Sequence, residues 1–150
     1  MNKQETELQA SEVEIICKSK ILASKRVQIK SSIDAFRVFW ESWDKKIIEH
    51  LEVFKIMLLN NKNEVLGIAE ISVGGITSTI IDGRIVFQYA LKTHATAIII
   101  AHNHPSNNPT PSESDVDITK KLIQAGSVLN IQLLDHIILC GDGSYYSLGD

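Results

Sequence analysis

Cysteine is scarce in this 150-residue chain: there are two, Cys17 and Cys140, far from any C-x-x-C spacing and each set in an apolar run. That pattern favours two buried free thiols over metal ligands or a disulfide. Long hydrophobic runs are missing as well. No stretch approaches the roughly 18 apolar residues that a bilayer span requires, and the start, MNKQETELQASE, has no apolar segment of signal type. The expected location is the cytoplasm, with no membrane partner. A basic surplus is also absent, since 15 Lys and Arg stand against 18 Asp and Glu for a net charge of −3. Together with the lack of any basic stretch interleaved with aromatics, this argues against a dedicated nucleic-acid binder. Lys18, Lys20, Lys25, Arg26 and Lys30 cluster near the start and read as a solvated face. The prolines number only three, and all of them, Pro105, Pro109 and Pro111, fall in one short stretch.

What is present is an ordinary soluble composition, 44% hydrophobic and 22% charged, in a length that suits one domain with one core. Residues 1–11 are polar and without period and read as a tail ahead of a domain over 12–150. Glu12 to Cys17 alternates as a first strand. Ser31-Ser32 opens a helix whose stripe is Ile33, Phe36, Phe39 or Trp40, and Trp43. Asp44 to His50 reads as a short helix or turn. Val53 to Leu59 and Val65 to Val73 form a hairpin about Asn60–Asn63, and Ile76 to Ile81 resumes an extended stretch after Gly74-Gly75. Asp82-Gly83 precedes a helix from Arg84 to Thr93, with Ile85, Tyr89 and Ala90 and either Phe87 or Val86 turned inward. Ala97 to Ala101 has the length and branching of a buried strand. A helix from Ser112 to Ala125 with Gly126 as C-cap follows, then a strand from Asn130 to Cys140 and a short edge strand near Tyr145. The order implies an α/β fold with one mixed sheet and helices packed on it.

The chemistry concentrates between Ala101 and Asp115, AHNHPSNNPTPSESD. His102 and His104 follow directly on the apolar strand, and because side chains alternate faces with period two, both imidazoles point the same way and can grip one ion while Asn103 points elsewhere. The proline loop turns the chain over the strand end. Ser112 caps the next helix, whose first turn holds Asp115. Two nitrogens and one carboxylate are three ligands with one position open, a hydrolytic rather than a structural zinc geometry. Ser112-x-x-Asp115 on its own is an ordinary capping box. Asp135-His136 lies in the later strand, where one of the two can face the metal strand and take the free ring nitrogen of a ligating histidine.

The pattern H-x-H-x7-S-x2-D with an upstream glutamate resembles the JAMM (MPN+ or JAB) metallopeptidases, and HNHPS, PTPS-x-x-D and LLDHIIL within it resemble the bacterial RadC family. The resemblance covers about Glu12 to Leu148. It implies the cytidine-deaminase-like α/β layout of JAB domains and a zinc-dependent hydrolase of amide, peptide or isopeptide bonds. One Zn²⁺ would be held by His102, His104 and Asp115, and a general-base glutamate would sit on a strand near a glycine-bearing turn. Glu70, in mid-strand ahead of Gly74-Gly75, fits that description, whereas Glu64 lies at the turn and Glu52 at the other end of the hairpin. Ser112 becomes the donor to the oxyanion, in competition with its use as a cap. Two departures stand out: Gly83 and Ile85 flank Arg84 where relatives have proline and glutamate, which leaves Arg84 itself as the one candidate there, and Asn107 replaces a glycine. Asparagine tolerates a left-handed backbone, so the loop shape is expected to survive. Longer relatives carry an N-terminal helix-hairpin-helix region, for which this sequence has no room.

Two other classes remain open: a non-catalytic MPN-type interaction module, and the DNA-repair accessory role linked with the RadC name. The negative charge and the single-metal pattern disfavour phosphodiester chemistry. A zinc deaminase is disfavoured by the absence of P-C-x-x-C. The expected partner is a peptide or protein substrate.

Overall fold

The computed structural model describes residues 10–14, 16–74 and 81–150. Its frame is a five-stranded mixed sheet in the order β2-β1-β3-β4-β5. β1 (Val53–Leu59) and β2 (Val65–Val73) are the hairpin. β3 (Ala97–Asn103) lies antiparallel to β1 and parallel to β4 (Gln132–Leu139), and β5 (Tyr145–Ser147) closes the far edge antiparallel to β4. Three helices cover it: α1 (Ser32–Ser42), α2 (Gly83–Lys92) and α3 (Glu113–Leu129). This is the mixed α/β architecture that the order of elements implied.

The layers follow from period-two alternation on the central strands, β1 and β3, which are buried throughout. Val53, Met57 and Leu59 of β1 and Ile99 and Ala101 of β3 face α1. Phe54, Ile56 and Leu58 with Ile98 and Ile100 face the opposite way, toward Val86, Phe87 and Ala90 of α2 and Leu122 of α3. Burying Phe39 of α1 completely contributes about 1.5–3 kcal/mol. Asn63, Asn107 and Asn130 take the left-handed backbone at their turns. Asn107 thus takes the left-handed backbone that was expected of it, and its amide also binds Gly141 N–H and the Glu49 carboxylate.

Several expectations need correction. Residues 12–14, 16 and 17 form no strand and are exposed. Cys17 is consequently exposed, while Cys140 is buried. In α2 it is Val86 and Phe87 together with Ala90 that face the sheet, and Ile85 and Tyr89 lie outside. The extended stretch read at Ile76–Ile81 lies outside the described residues apart from Ile81. Helix α3 runs on to Leu129 and ends at left-handed Asn130, so Gly126 is inside the helix. Among the described residues no helix is long and apolar enough to cross a membrane.

Gly126 owes its place to packing. A Cβ there would collide with the Ile131 carbonyl oxygen, where the chain doubles back from α3 into β4. Glycine to alanine inside a helix ordinarily stabilises; here Gly126→Ala should instead lower stability by about 1–3 kcal/mol, since the obstacle is backbone. Gly67→Ala, which meets nothing within 4 Å, should stay within about 0.5 kcal/mol of wild type in urea-unfolding midpoints.

Candidate metal centre

The site sits where β3 ends and α3 begins, at the carboxyl end of the parallel pair β3–β4, the usual crevice of an α/β sheet. Strand alternation splits the H-N-H triplet between the two faces of the sheet. His102 and His104 bring their Nε2 atoms to 2.9 Å from each other on the α3 side. Asn103 goes through to the α1 side. There its Oδ1 accepts from Val53 N–H at 2.8 Å and Trp43 Nε1–H at 3.3 Å, while its Nδ2 donates to the carbonyls of Ile48 and Leu51 at 2.7 and 2.8 Å.

Asp115 enters from the first turn of α3. Ser112 and Asp115 form a reciprocal capping box, with Asp115 N–H donating to Ser112 Oγ at 3.1 Å and Ser112 N–H to Asp115 Oδ2 at 2.8 Å. The cap holds the carboxylate so that Oδ1 lies 3.2 Å from His102 Nε2 and Oδ2 3.1 Å from His104 Nε2. Glu52 completes the group, its Oε1 3.6 Å from His102 Nε2, and all four ligand atoms lie within 4.8 Å of one another. Donors about 2.0–2.2 Å from a tetrahedral ion stand roughly 3.4 Å apart, so this spacing fits a shared cation.

The backing of each imidazole differs. His104 Nδ1 lies 2.7 Å from the Asn108 carbonyl, which can only accept, so Nδ1 carries the hydrogen and Nε2 presents a lone pair to the site. His102 Nδ1 lies 2.7 Å from Nε2 of fully buried His136, whose Nδ1 is 2.6 Å from Thr119 Oγ1. Phe54 stacks on His102 and meets His136 edge-on. Burial works to raise the Asp115 pKa, yet the neighbouring His102 and His104 outweigh it and hold the carboxyl well below the usual range. The Asp115 carboxylate, which accepts from a protonated His104, raises the His104 pKa, against burial. Burial pushes Glu52 up, opposed by the two histidines, and pushes His136 down to about 3, helped by His102.

The family model for the RadC-like JAB domain matches residues 29–150. The chain belongs to the RadC-like JAB domain family. Among its relatives, the UPF0758 protein of Alkaliphilus metalliredigens is 42% identical over 140 residues, 87% of this chain and 60% of that protein. Another UPF0758 protein, of Alkaliphilus oremlandii, is 50% identical over 97 residues, covering 65% of this chain and 41% of the relative. A third, of Flavobacterium johnsoniae, is 43% identical over 128 residues, 84% of this chain and 53% of the relative. The chain thus spans about half the length of the curated relatives it matches.

In this RadC-like JAB domain the structure gathers His102, His104 and Asp115 as the spacing implied, but not Glu70. Glu70 pairs with Lys55, which pairs with Ala101, so it stands two strands, or about 10 Å, from β3. It is exposed and follows Ile68 on the α1 side of the sheet, opposite the histidines. Glu52 takes the place instead. It directly precedes β1, and its carbonyl accepts from Gly74 N–H at 2.8 Å, so the glycine turn does adjoin the site glutamate, but across the hairpin. Parity was the available signal: Glu52 shares its face with Phe54, which pairs with His102.

The remaining candidates separate. Arg84 is exposed and paired at 2.8 Å with Asp82, the N-cap of its own helix, and is not one of the residues that form the metal group. Asp135 faces away from His136 and binds Ser147 Oγ at 2.7 Å and Gly149 N–H at 2.9 Å, tying down the chain end. His136 does back a site histidine. Ser112 is exposed, its oxygen engaged by the Asp115 N–H.

Asn103 anchors the segment that carries Glu52 by satisfying three buried polar groups and one part-buried one. Asn103→Ala should therefore cost on the order of 3 kcal/mol in urea unfolding and accelerate hydrogen exchange at Val53 N–H. Wild-type stability in that variant would show that those bonds are dispensable.

Proposed function

We propose that this chain is a zinc-dependent hydrolase of amide bonds, peptide or isopeptide, in which His102, His104 and Asp115 hold the ion and Glu52 handles the proton. The observation that carries this reading is the convergence of two imidazole Nε2 atoms, 2.9 Å apart, on the carboxylate of Asp115. Two nitrogens, oxygen and no sulfur, partly buried and open on one side, suit a catalytic zinc. Zinc bound there would act as a Lewis acid and lower the pKa of a coordinated water toward about 7.

The protein's own groups then do the rest. Glu52 stands beside the ligands, and burial raises its affinity for a proton, which makes it a stronger base than a surface carboxylate. It can take a proton at Oε1 and return it to the departing amine, as a general base does. Ser112 accepts in its cap, which leaves its hydroxyl hydrogen for an oxyanion, so capping and donation are compatible. A cleft of about 340 Å³ leads up to Glu52, His102 and Asp115, walled by Phe54, Ile81 and Ile118 and by the polar Ser114, Asp117 and Lys121, a mixed approach that a polypeptide can fill.

Purified protein should hold one zinc per chain by elemental analysis. His102→Ala and Asp115→Ala should lose it. Glu52→Gln should retain zinc while hydrolysis of a peptide and isopeptide panel falls by about 10² to 10⁴, and Glu70→Gln should retain both. Full activity in Glu52→Gln would remove Glu52 from the mechanism, and tight zinc in His102→Ala would remove the site.

A further inference from the structure

The two site histidines differ in how firmly their partners dictate the ligating nitrogen. A carbonyl faces His104 Nδ1 and leaves no choice, whereas His102 Nδ1 faces another imidazole, His136 Nε2 at 2.7 Å, and either nitrogen of such a pair could donate. The choice is settled one residue further back. Thr119, buried in α3, places Oγ1 2.7 Å from the Asp115 carbonyl and 2.6 Å from His136 Nδ1. A hydroxyl has one hydrogen. If it went to His136, two lone-pair oxygens would face each other at 2.7 Å with nothing between them, so it goes to the Asp115 carbonyl. Thr119 Oγ1 must then accept from His136 Nδ1–H. A neutral imidazole has only one N–H, so His136 Nε2 accepts from His102 Nδ1–H, and His102 Nε2 turns a lone pair to the site.

We infer that Thr119, acting through His136, holds His102 in the Nδ1–H tautomer and so selects its ligating nitrogen. Thr119 is a positioning residue: the chain of bonds starts on the Asp115 backbone and returns to the Asp115 carboxylate by way of two rings. The opposite tautomer has a real alternative. With His102 Nε2 protonated, its hydrogen would point at Asp115 Oδ1, 3.2 Å away, an ion-blocking hydrogen bond. Only the hydroxyl tips the balance, because reversing the chain strands its oxygen against the carbonyl. The consequence for metal affinity rests on the zinc reading; the tautomer itself does not, since it exists in the metal-free protein.

The test uses the whole chain labelled with ¹⁵N-histidine, metal-free at mildly alkaline pH, where long-range ¹H–¹⁵N spectra tell the two tautomers apart. Wild type should show Nδ1–H at both His102 and His136. Thr119→Val, which keeps the shape and removes the acceptor, should shift His102 toward Nε2–H. It should also weaken zinc binding, measured by chelator competition, by about 10- to 100-fold. Thr119→Ser should restore both readings, which a loss of packing alone would not predict. Nε2–H at His102 in wild type overturns the inference even if Thr119→Val fails to fold, and so does an unchanged tautomer in a folded Thr119→Val. Should no zinc bind to wild type while the tautomers behave as described, the inference stands and the metal reading falls. Zinc bound tightly alongside an unmoved tautomer would do the reverse.

Discussion

Two imidazole nitrogens facing each other at 2.9 Å, with a carboxylate against both, are unstable company unless something positive lies between them. Each lone pair repels the other, and bringing the carboxylate partly out of water has its own cost. The surrounding structure holds this arrangement in place. The Asn108 carbonyl and the His136 ring fix the backs of the histidines, and the capping box fixes the aspartate at the start of a helix, where the dipole favours negative charge. A cation or a shared proton relieves the strain, and the rise in the His104 pKa driven by Asp115 shows the same demand in the absence of metal.

β3 serves both halves of the protein because its side chains alternate. Ile98, Ile100 and His102 look toward α2 and α3, while Ile99, Ala101 and Asn103 look toward α1. Core and site therefore lie along one strand, and the three residues of H-N-H divide between ligation and anchoring. Asn103 fastens the turn after α1 to the start of β1, which places Glu52 beside His102. Chemistry on one face thus depends on hydrogen bonds made on the other.

Features with a local signal could be read directly from the chain. The hairpin, the buried strand and the proline loop announce themselves through apolar runs, turn residues and ring constraints, and the H-x-H spacing puts both imidazoles on one side before any fold is known. Glu52 had no such local mark. Its position depends on the strand register, and a glutamate near a glycine turn described Glu70 in sequence but Glu52 in space, since Gly74 reaches across the hairpin. Thr119 was missed for a related reason: a threonine inside an amphipathic helix looks like helix surface until β4 brings His136 against it. Gly126 resembled a cap because the close approach of Ile131 is a tertiary fact. Cys17 looked buried because a short apolar alternation permits a strand without requiring one; the segment must also pair with a sheet, and this one does not.

X-ray absorption at the zinc edge of the metal-loaded protein tests the coordination most directly. Two imidazole nitrogens and two oxygens at about 2.0–2.2 Å, in a four-coordinate shell without sulfur, are the expected result. A sulfur shell near about 2.3 Å, a six-oxygen octahedral shell, or a protein that takes up no zinc would contradict it.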